Sequence, residues 1–218
     1  MRFTQFLIYI PLPAVKTQTG TPTTEGISQI SGTTRTIRIE SSGCGNNSAH
    51  YKDNKWVAGY NPLNEPTEPK HVRLVEYYNR LYDAIRKIDA HHILFLDGNT
   101  FASDFTHFSD EYVKNWENTS YSIHDYSRFG FPGSSETYAG GGGRVGTLIR
   151  AYEKKGEWLD QRGLCVWDGE WGPVYAEGEY EGDATEEINK SRIHVLKDQL
   201  TVYNRVRPSS GYPRYFFG

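Results

Sequence analysis

Two stretches of this 218-residue chain carry the residues best suited to chemistry. Trp56 to Pro66 (WVAGYNPLNEP) and Leu164 to Tyr175 (LCVWDGEWGPVY) are apolar, β-branched and aromatic runs, each holding a Glu followed closely by Pro or Gly-Pro. A short, non-alternating apolar run closed by turn residues reads as a buried strand that delivers a carboxylate at its C-terminal end. Two such carboxylates, Glu65 and Glu170, brought face to face would suit cleavage of a glycosidic bond, with one group giving a proton while the other stays ionised.

The elements that would position these groups alternate strand and helix from Tyr51 onward. Pro69 opens a helix in which Val72, Val75, Tyr78, Leu81, Tyr82, Ile85 and Ile88 recur at helical spacing through Asp89. His91 to Asp97 (HHILFLD) is a buried strand ending in Gly98-Asn99. Asp110 to Glu117 is a short helix capped by Ser109 or Asp110, and Tyr121 to Tyr126 (YSIHDY) is the next strand. A Gly/Pro/Ser loop leads to Gly140 to Gly143, then to a helix from about Val145 to Gln161 and the second Glu-bearing strand. An acidic loop, Glu177 to Asp183, and a helix from about Ala184 to Val206 complete the pattern. Repeated strand, helix, strand connections imply a parallel sheet with right-handed crossovers. A (β/α) barrel and an open doubly wound sheet both place chemistry at the C-terminal ends of their strands. The open sheet usually carries a Gly-rich phosphate turn after its first strand. The run at Gly140 to Gly143 follows no strand directly and lacks Lys-Ser/Thr, which leaves the barrel.

Composition narrows the partner. A hydrophobic fraction of 37% with 14% aromatics is enough for a core, so disorder throughout is excluded. A formal charge of −3 with interspersed signs gives no basic stripe for nucleic acid and no polybasic patch for a membrane surface. No stretch reaches the roughly 20 apolar residues of a membrane span. Sixteen Tyr and five Trp offer flat faces for sugar rings, although ordinary core packing accounts for many of them. Cys44 and Cys165 point to no disulfide framework, with Cys165 expected to pack as a small hydrophobe inside a strand. His91 and His92 have no further metal-ligand spacing, and no metal or cofactor is expected. Asp97 and Asn99, at a strand end, stand where a barrel presents its site.

Asn64-Glu65-Pro66, His124-x-Tyr126 and Gly169-Glu170-Trp171-Gly172-Pro173 occur in that order, each at a strand end. Together they resemble glycoside hydrolase family 5, the cellulase family of retaining β-glycosidases, and most closely its fungal members. The resemblance covers roughly His50 to Val206. It implies that Glu65 is the general acid and base and Glu170 the nucleophile. It further implies that Asn64 bonds the sugar 2-hydroxyl, that Tyr126 donates its phenolic hydrogen to Glu170, and that His124 orients sugar or the acid/base residue. Trp171 would wall the pocket. The substrate would be a β-glucan or a related β-glycan, with linkage set by loops such as Ser127 to Gly143.

The family fold is an eight-stranded barrel of about 250 residues. The matching region supplies four strands, mapped to the fourth through seventh, so the expectation is an α/β partial (β/α)8 barrel over 49–206. Residues 1–48 read as a poorly ordered, non-family extension in which only Thr33 to Glu40 alternates like a strand. Residues 207–218, with Pro208 and Pro213 and no Trp, read as a degenerate tail. The reading is thus of a truncated family member whose exposed strand edges favour self-association and weak or absent catalysis. A remnant that at most binds carbohydrate is the alternative, and a nucleotide-binding protein is disfavoured by the missing phosphate loop. Phe6 to Val15 only faintly resembles a signal peptide. The family's polymer substrates suggest an extracellular enzyme.

Overall fold

A computed structural model describes residues 48–127, 129, 138, 140, 142–173 and 182–205. The extension before Ser48, most of the Ser127 to Gly143 and Glu177 to Asp183 loops and the tail from 206 onward lie outside the described residues. The elements are β1 (Gly59–Tyr60), α1 (Arg73–Arg86), β2 (Ile93–Asp97), α2 (Asp110–Asn115), β3 (Thr119–Tyr126), α3 (Gly142–Asp160), β4 (Val166–Gly172) and α4 (Thr185–Arg205). The strands form one sheet in the order β1-β2-β3-β4, and four parallel strands with intervening helices make a partial (β/α)8 barrel. The chain falls into two compact units divided within β3, Met1–Ser122 and Ile123–Gly218. No helix among the described residues is long and apolar enough to cross a membrane.

In the first unit, β2 is the buried centre. Gly59 and Tyr60 pair with Ile93 and Leu94, while Leu94 to Asp97 pair in parallel with Thr119 to Ser122. Only two residues of the apolar run from Trp56 form a strand. Gly59 permits the pairing, since a Cβ there would lie 2.0 Å from the Ile93 carbonyl oxygen. Trp56 itself is 56% exposed. Helix α1 buries Val75, Tyr78, Leu81 and Ile85 of the stripe expected from its periodicity, and Leu74 and Tyr77 besides, while Tyr82 of that stripe is only half-buried. Val72 and Ile88, counted in that stripe from sequence, lie beyond its two ends and are exposed. Tyr78, Phe105, Phe108, Trp116 and Tyr121 form a core cluster of ring contacts at 5.3–6.2 Å, so much of the aromatic richness is packing.

The start of α1 is held by a residue upstream of it. Val72, at the N-cap, has no side-chain cap bond. The buried Glu68 carboxylate instead accepts the backbone N–H groups of Lys70 (3.0 Å), Val72 (2.7 Å) and Arg73 (3.1 Å), and pairs with the Arg73 guanidinium at 3.3 Å. Burial raises the Glu68 pKa, but these hydrogen bonds outweigh it and hold the carboxyl below its ordinary value. The stabilisation is therefore complete above the ordinary Glu range and fades as pH falls through the lowered folded value. Glu68→Ala is expected to cost about 2 kcal/mol in neutral urea unfolding and to lose much of that difference at acid pH. An unchanged midpoint at neutral pH would rule the cap out.

In the second unit, β3 continues from Ile123 and α3, β4 and α4 follow. Val166 and Trp167 of β4 are buried with Leu148, Tyr152 and Leu159 of α3 and Val195 and Val202 of α4. Cys165 is exposed rather than packed in a strand, because β4 begins one residue later.

Candidate active site

Glu65 lies in the loop after β1, not on the strand itself, and its backbone is left-handed, with φ +45°. A side chain in that conformation costs about 1–2 kcal/mol and needs outside support. The support comes from the end of β2. The fully buried Asp97 carboxylate accepts the Glu65 backbone N–H through Oδ2 at 2.9 Å and the Asn61 side-chain amide through Oδ1 at 2.6 Å. The Tyr78 hydroxyl donates to the Asp97 carbonyl at 2.9 Å, which ties the same residue to α1.

Asn99 repeats the device two residues on. Its Oδ1 accepts the Glu68 backbone N–H at 2.7 Å and its Nδ2 donates to the Glu68 carbonyl at 2.9 Å. Asp97 and Asn99, which the sequence places where substrate could be touched, thus hold the segment that carries Glu65. Asn64 is exposed and Glu65 half-buried. Beyond Asn99, Thr100, Phe101 and Ala102 are all left-handed (φ 54°, 57° and 55°), and the Phe101 N–H reaches the Pro66 carbonyl at 3.3 Å. This turn leaves the Phe101 ring 53% exposed.

In the second unit, strand alternation separates the polar side chains of β3 into two sets. His124 and Tyr126 address Glu170 of β4. The Tyr126 hydroxyl donates to Glu170 Oε2 at 3.0 Å, and His124 Nδ1 lies 3.5 Å from the same oxygen. The Glu170 side chain keeps 32% of its surface exposed while His124 keeps 3%, so the carboxylate is reachable and its partner is fixed. Asp125 points the other way, where Lys155 of α3 donates to its Oδ1 at 2.7 Å and Tyr203 of α4 to its Oδ2 at 2.8 Å. Lys155 also bonds the His124 carbonyl at 2.8 Å, and Gln199 the Asp125 carbonyl at 3.0 Å. β3 is thereby clamped by both helices. Trp171 meets the Tyr203 ring edge-on at 5.6 Å.

Sequence reasoning missed Lys155, Gln199 and Tyr203. The available signal was Asp125 itself, an acid between two polar site residues on a buried strand, which demands a cationic or hydroxyl partner on the opposite face. His92 is occupied structurally, with Nδ1 2.6 Å from Asp89 Oδ2 and Nε2 3.2 Å from the Asn54 carbonyl oxygen.

The glycosyl hydrolase family 5 cellulase model matches residues 33–203. A β-xylosidase from Phanerodontia chrysosporium is 63% identical over 160 residues, covering 73% of this chain and 33% of that protein. The chain therefore spans about one third of this curated relative's length. Among solved structures, an endoglucanase aligns with a TM-score of 0.62 at 15% identity over 84% of this chain and 58% of its own. The endoglucanase Cel5A of Thermotoga maritima aligns with a TM-score of 0.64 at 18% identity over 79% of this chain and 56% of its own. At such identities the structural likeness concerns the fold.

Proposed function

This chain belongs to glycosyl hydrolase family 5, the cellulase family, and we propose that it is a retaining β-glycosidase working by double displacement with Glu170 as nucleophile and Glu65 as acid and base. In the first step Glu170 attacks the anomeric carbon while Glu65 gives its proton to the departing glycosidic oxygen. The resulting glycosyl ester on Glu170 is then hydrolysed by a water from which Glu65 removes a proton, so configuration is retained. This mechanism needs the two carboxyl groups about 5–5.5 Å apart and needs no cofactor.

The observation that carries the reading is the pairing of a reachable Glu170 carboxylate with the Tyr126 hydroxyl at 3.0 Å and the His124 ring at 3.5 Å. A nucleophilic carboxylate needs such donors to fix the attacking oxygen without closing it off. Asn64 is assigned to the sugar 2-hydroxyl, a bond that strengthens as oxocarbenium character develops. Trp171 is assigned to the pocket wall. The substrate is a β-linked glycan. Glucans follow from the family, and the relative's name, β-xylosidase, adds xylo-configured substrates.

The test is release of reducing sugar by the purified chain from β-1,4-, β-1,3- and β-1,6-linked glucans, mannan and xylan, with Glu170→Gln as control. Slow release, in keeping with a partial barrel, that disappears in the variant is the expected result and identifies the glycan. Silence across the panel, or glycan binding with no turnover, would overturn the proposal for this chain.

A further inference from the structure

Glu65 holds a backbone conformation that its own sequence opposes. It is not glycine, yet its φ is +45°, where Cβ crowds the following carbonyl oxygen. It also precedes Pro66, whose ring favours extended backbone in the residue before it. Released from outside contacts, this residue would turn extended and carry its carboxylate elsewhere. Conformations of this kind persist where the surrounding structure over-determines them, and they gather at functional sites.

The residue that opposes the release is Asp97, and it is itself held fast. It pairs with Ser122 in the last step of the ladder between β2 and β3, its carbonyl accepts the Tyr78 hydroxyl at 2.9 Å, and it is fully buried. Its Oδ1 takes the Asn61 amide at 2.6 Å, which aims Oδ2 at the Glu65 N–H, 2.9 Å away. Past Glu65, the Phe101 N–H holds the Pro66 carbonyl at 3.3 Å. Stability alone is poorly served by a buried carboxyl group, since a well-packed apolar side chain does as well or better. What an apolar side chain could not supply is an acceptor for the Glu65 N–H.

We propose that Asp97 is a positioning residue for the acid and base of the reaction: by accepting the Glu65 N–H it keeps that residue left-handed and its carboxylate aimed at the glycosidic oxygen. The inference rests on the hydrolytic reading, in which Glu65 first gives and later removes a proton. Asp97 acts through Glu65, so its loss harms the steps that use Glu65 and spares those that do not.

Asn61 sets what the isostere does. Its Oδ1 is buried and makes no hydrogen bond among the described residues. In Asp97→Asn, rotation of the Asn61 amide lets that oxygen accept from the new side-chain amide, whose own oxygen still accepts the Glu65 N–H. Asp97→Ala leaves no acceptor at all.

The test measures kcat/KM of the full chain on an unactivated β-linked glycan and on a nitrophenyl glycoside of the same sugar, whose leaving group departs without a proton. Asp97→Ala is expected to lower the first by about 10²-fold, as a misplacement on the order of 1 Å does, and to leave the second near the parent value. Its kcat on the nitrophenyl glycoside should fall and be restored by azide. Asp97→Asn should recover about tenfold of the loss on the glycan. Adding Asp97→Ala to Glu65→Gln should change neither constant further, because both act on one group. The ratio of the two constants in one preparation does not depend on how much of it is folded, so a poorly folding variant still answers. Equal losses on both substrates, Asp97→Asn no better than Asp97→Ala, or a further loss in the double variant would reduce Asp97 to a structural role and overturn the proposal. A parent that hydrolyses neither substrate would instead overturn the hydrolytic reading, and this inference with it.

Discussion

Glu170→Gln is expected to lower turnover of a β-linked glycan by roughly 10³-fold or more, whatever the leaving group, because an amide cannot form the glycosyl ester. Glu65→Gln should behave differently. A sugar carrying a nitrophenolate leaving group departs without a proton, so the first step survives the loss of the acid. The second step, which needs a base to activate water, then becomes limiting, and kcat and KM should fall together as the intermediate accumulates. With an unactivated glycan the acid is indispensable, and Glu65→Gln should lose activity by about 10²–10⁴-fold. Azide, an anionic nucleophile that needs no base, should restore turnover of the activated substrate in Glu65→Gln with retained configuration at the product. Equal losses on both substrates in both variants would show that the assigned division of labour is wrong. Unchanged activity of either variant would remove that carboxylate from the mechanism altogether.

Much of the framework that carries these carboxylates was legible in the sequence. The 3.6-residue stripe of α1 and the apolar run of β2 came through because periodicity and burial agree there: Val75, Tyr78, Leu81 and Ile85 recur on one face, and Leu94 to Leu96 are buried. β1 was over-read. An apolar composition from Trp56 onward says nothing about which backbone groups pair, and only Gly59 and Tyr60 do so. The left-handed conformations at Glu65 and at Thr100 to Ala102 left no trace, since none of these residues is the glycine that normally announces positive φ. They are imposed by contacts distant in sequence, Asp97 to Glu65 and Phe101 to Pro66, and such contacts have no local signature. The functions of Asp97 and Asn99 were open for the same reason. A polar residue at a strand end is placed equally well to touch substrate or to hold a neighbouring loop, and only the bonds to Asn61, Glu65 and Glu68 decide between them.

Asp168→Asn is expected to stabilise the fold at neutral pH by about 4 kcal/mol and to abolish a pH dependence that the parent shows. Asp168 lies on β4, is 1% exposed, and neither of its carboxyl oxygens makes a well-formed hydrogen bond among the described residues. The buried Asp125 has the Lys155 ammonium at 2.7 Å and the Tyr203 hydroxyl at 2.8 Å, so it holds the local negative charge. Burial pushes the Asp168 carboxyl up first and the Asp125 charge second, against the opposing pull of Lys155 and of the Asp125 backbone N–H, and its pKa reaches about 8. Burial, together with the Asp125 and Asp168 charges, pushes the Tyr203 phenol far up as well, and it remains a donor. The native state therefore keeps on Asp168 a proton that the unfolded chain releases above its ordinary value of 3.8. Stability contributed by the protonated group is complete below that value and is lost as pH rises toward the folded value, at about 1.4 kcal/mol per pH unit. Asn has nearly the same shape and no proton to lose, so the variant should match the parent in acid and exceed it increasingly toward pH 8, the value near which the parent's loss levels off. Urea unfolding of both proteins across this range measures the difference directly. A variant that keeps the parent's slope, or is the less stable of the two at neutral pH, would mean that Asp168 is ionised in the fold and that Lys155 serves both carboxylates.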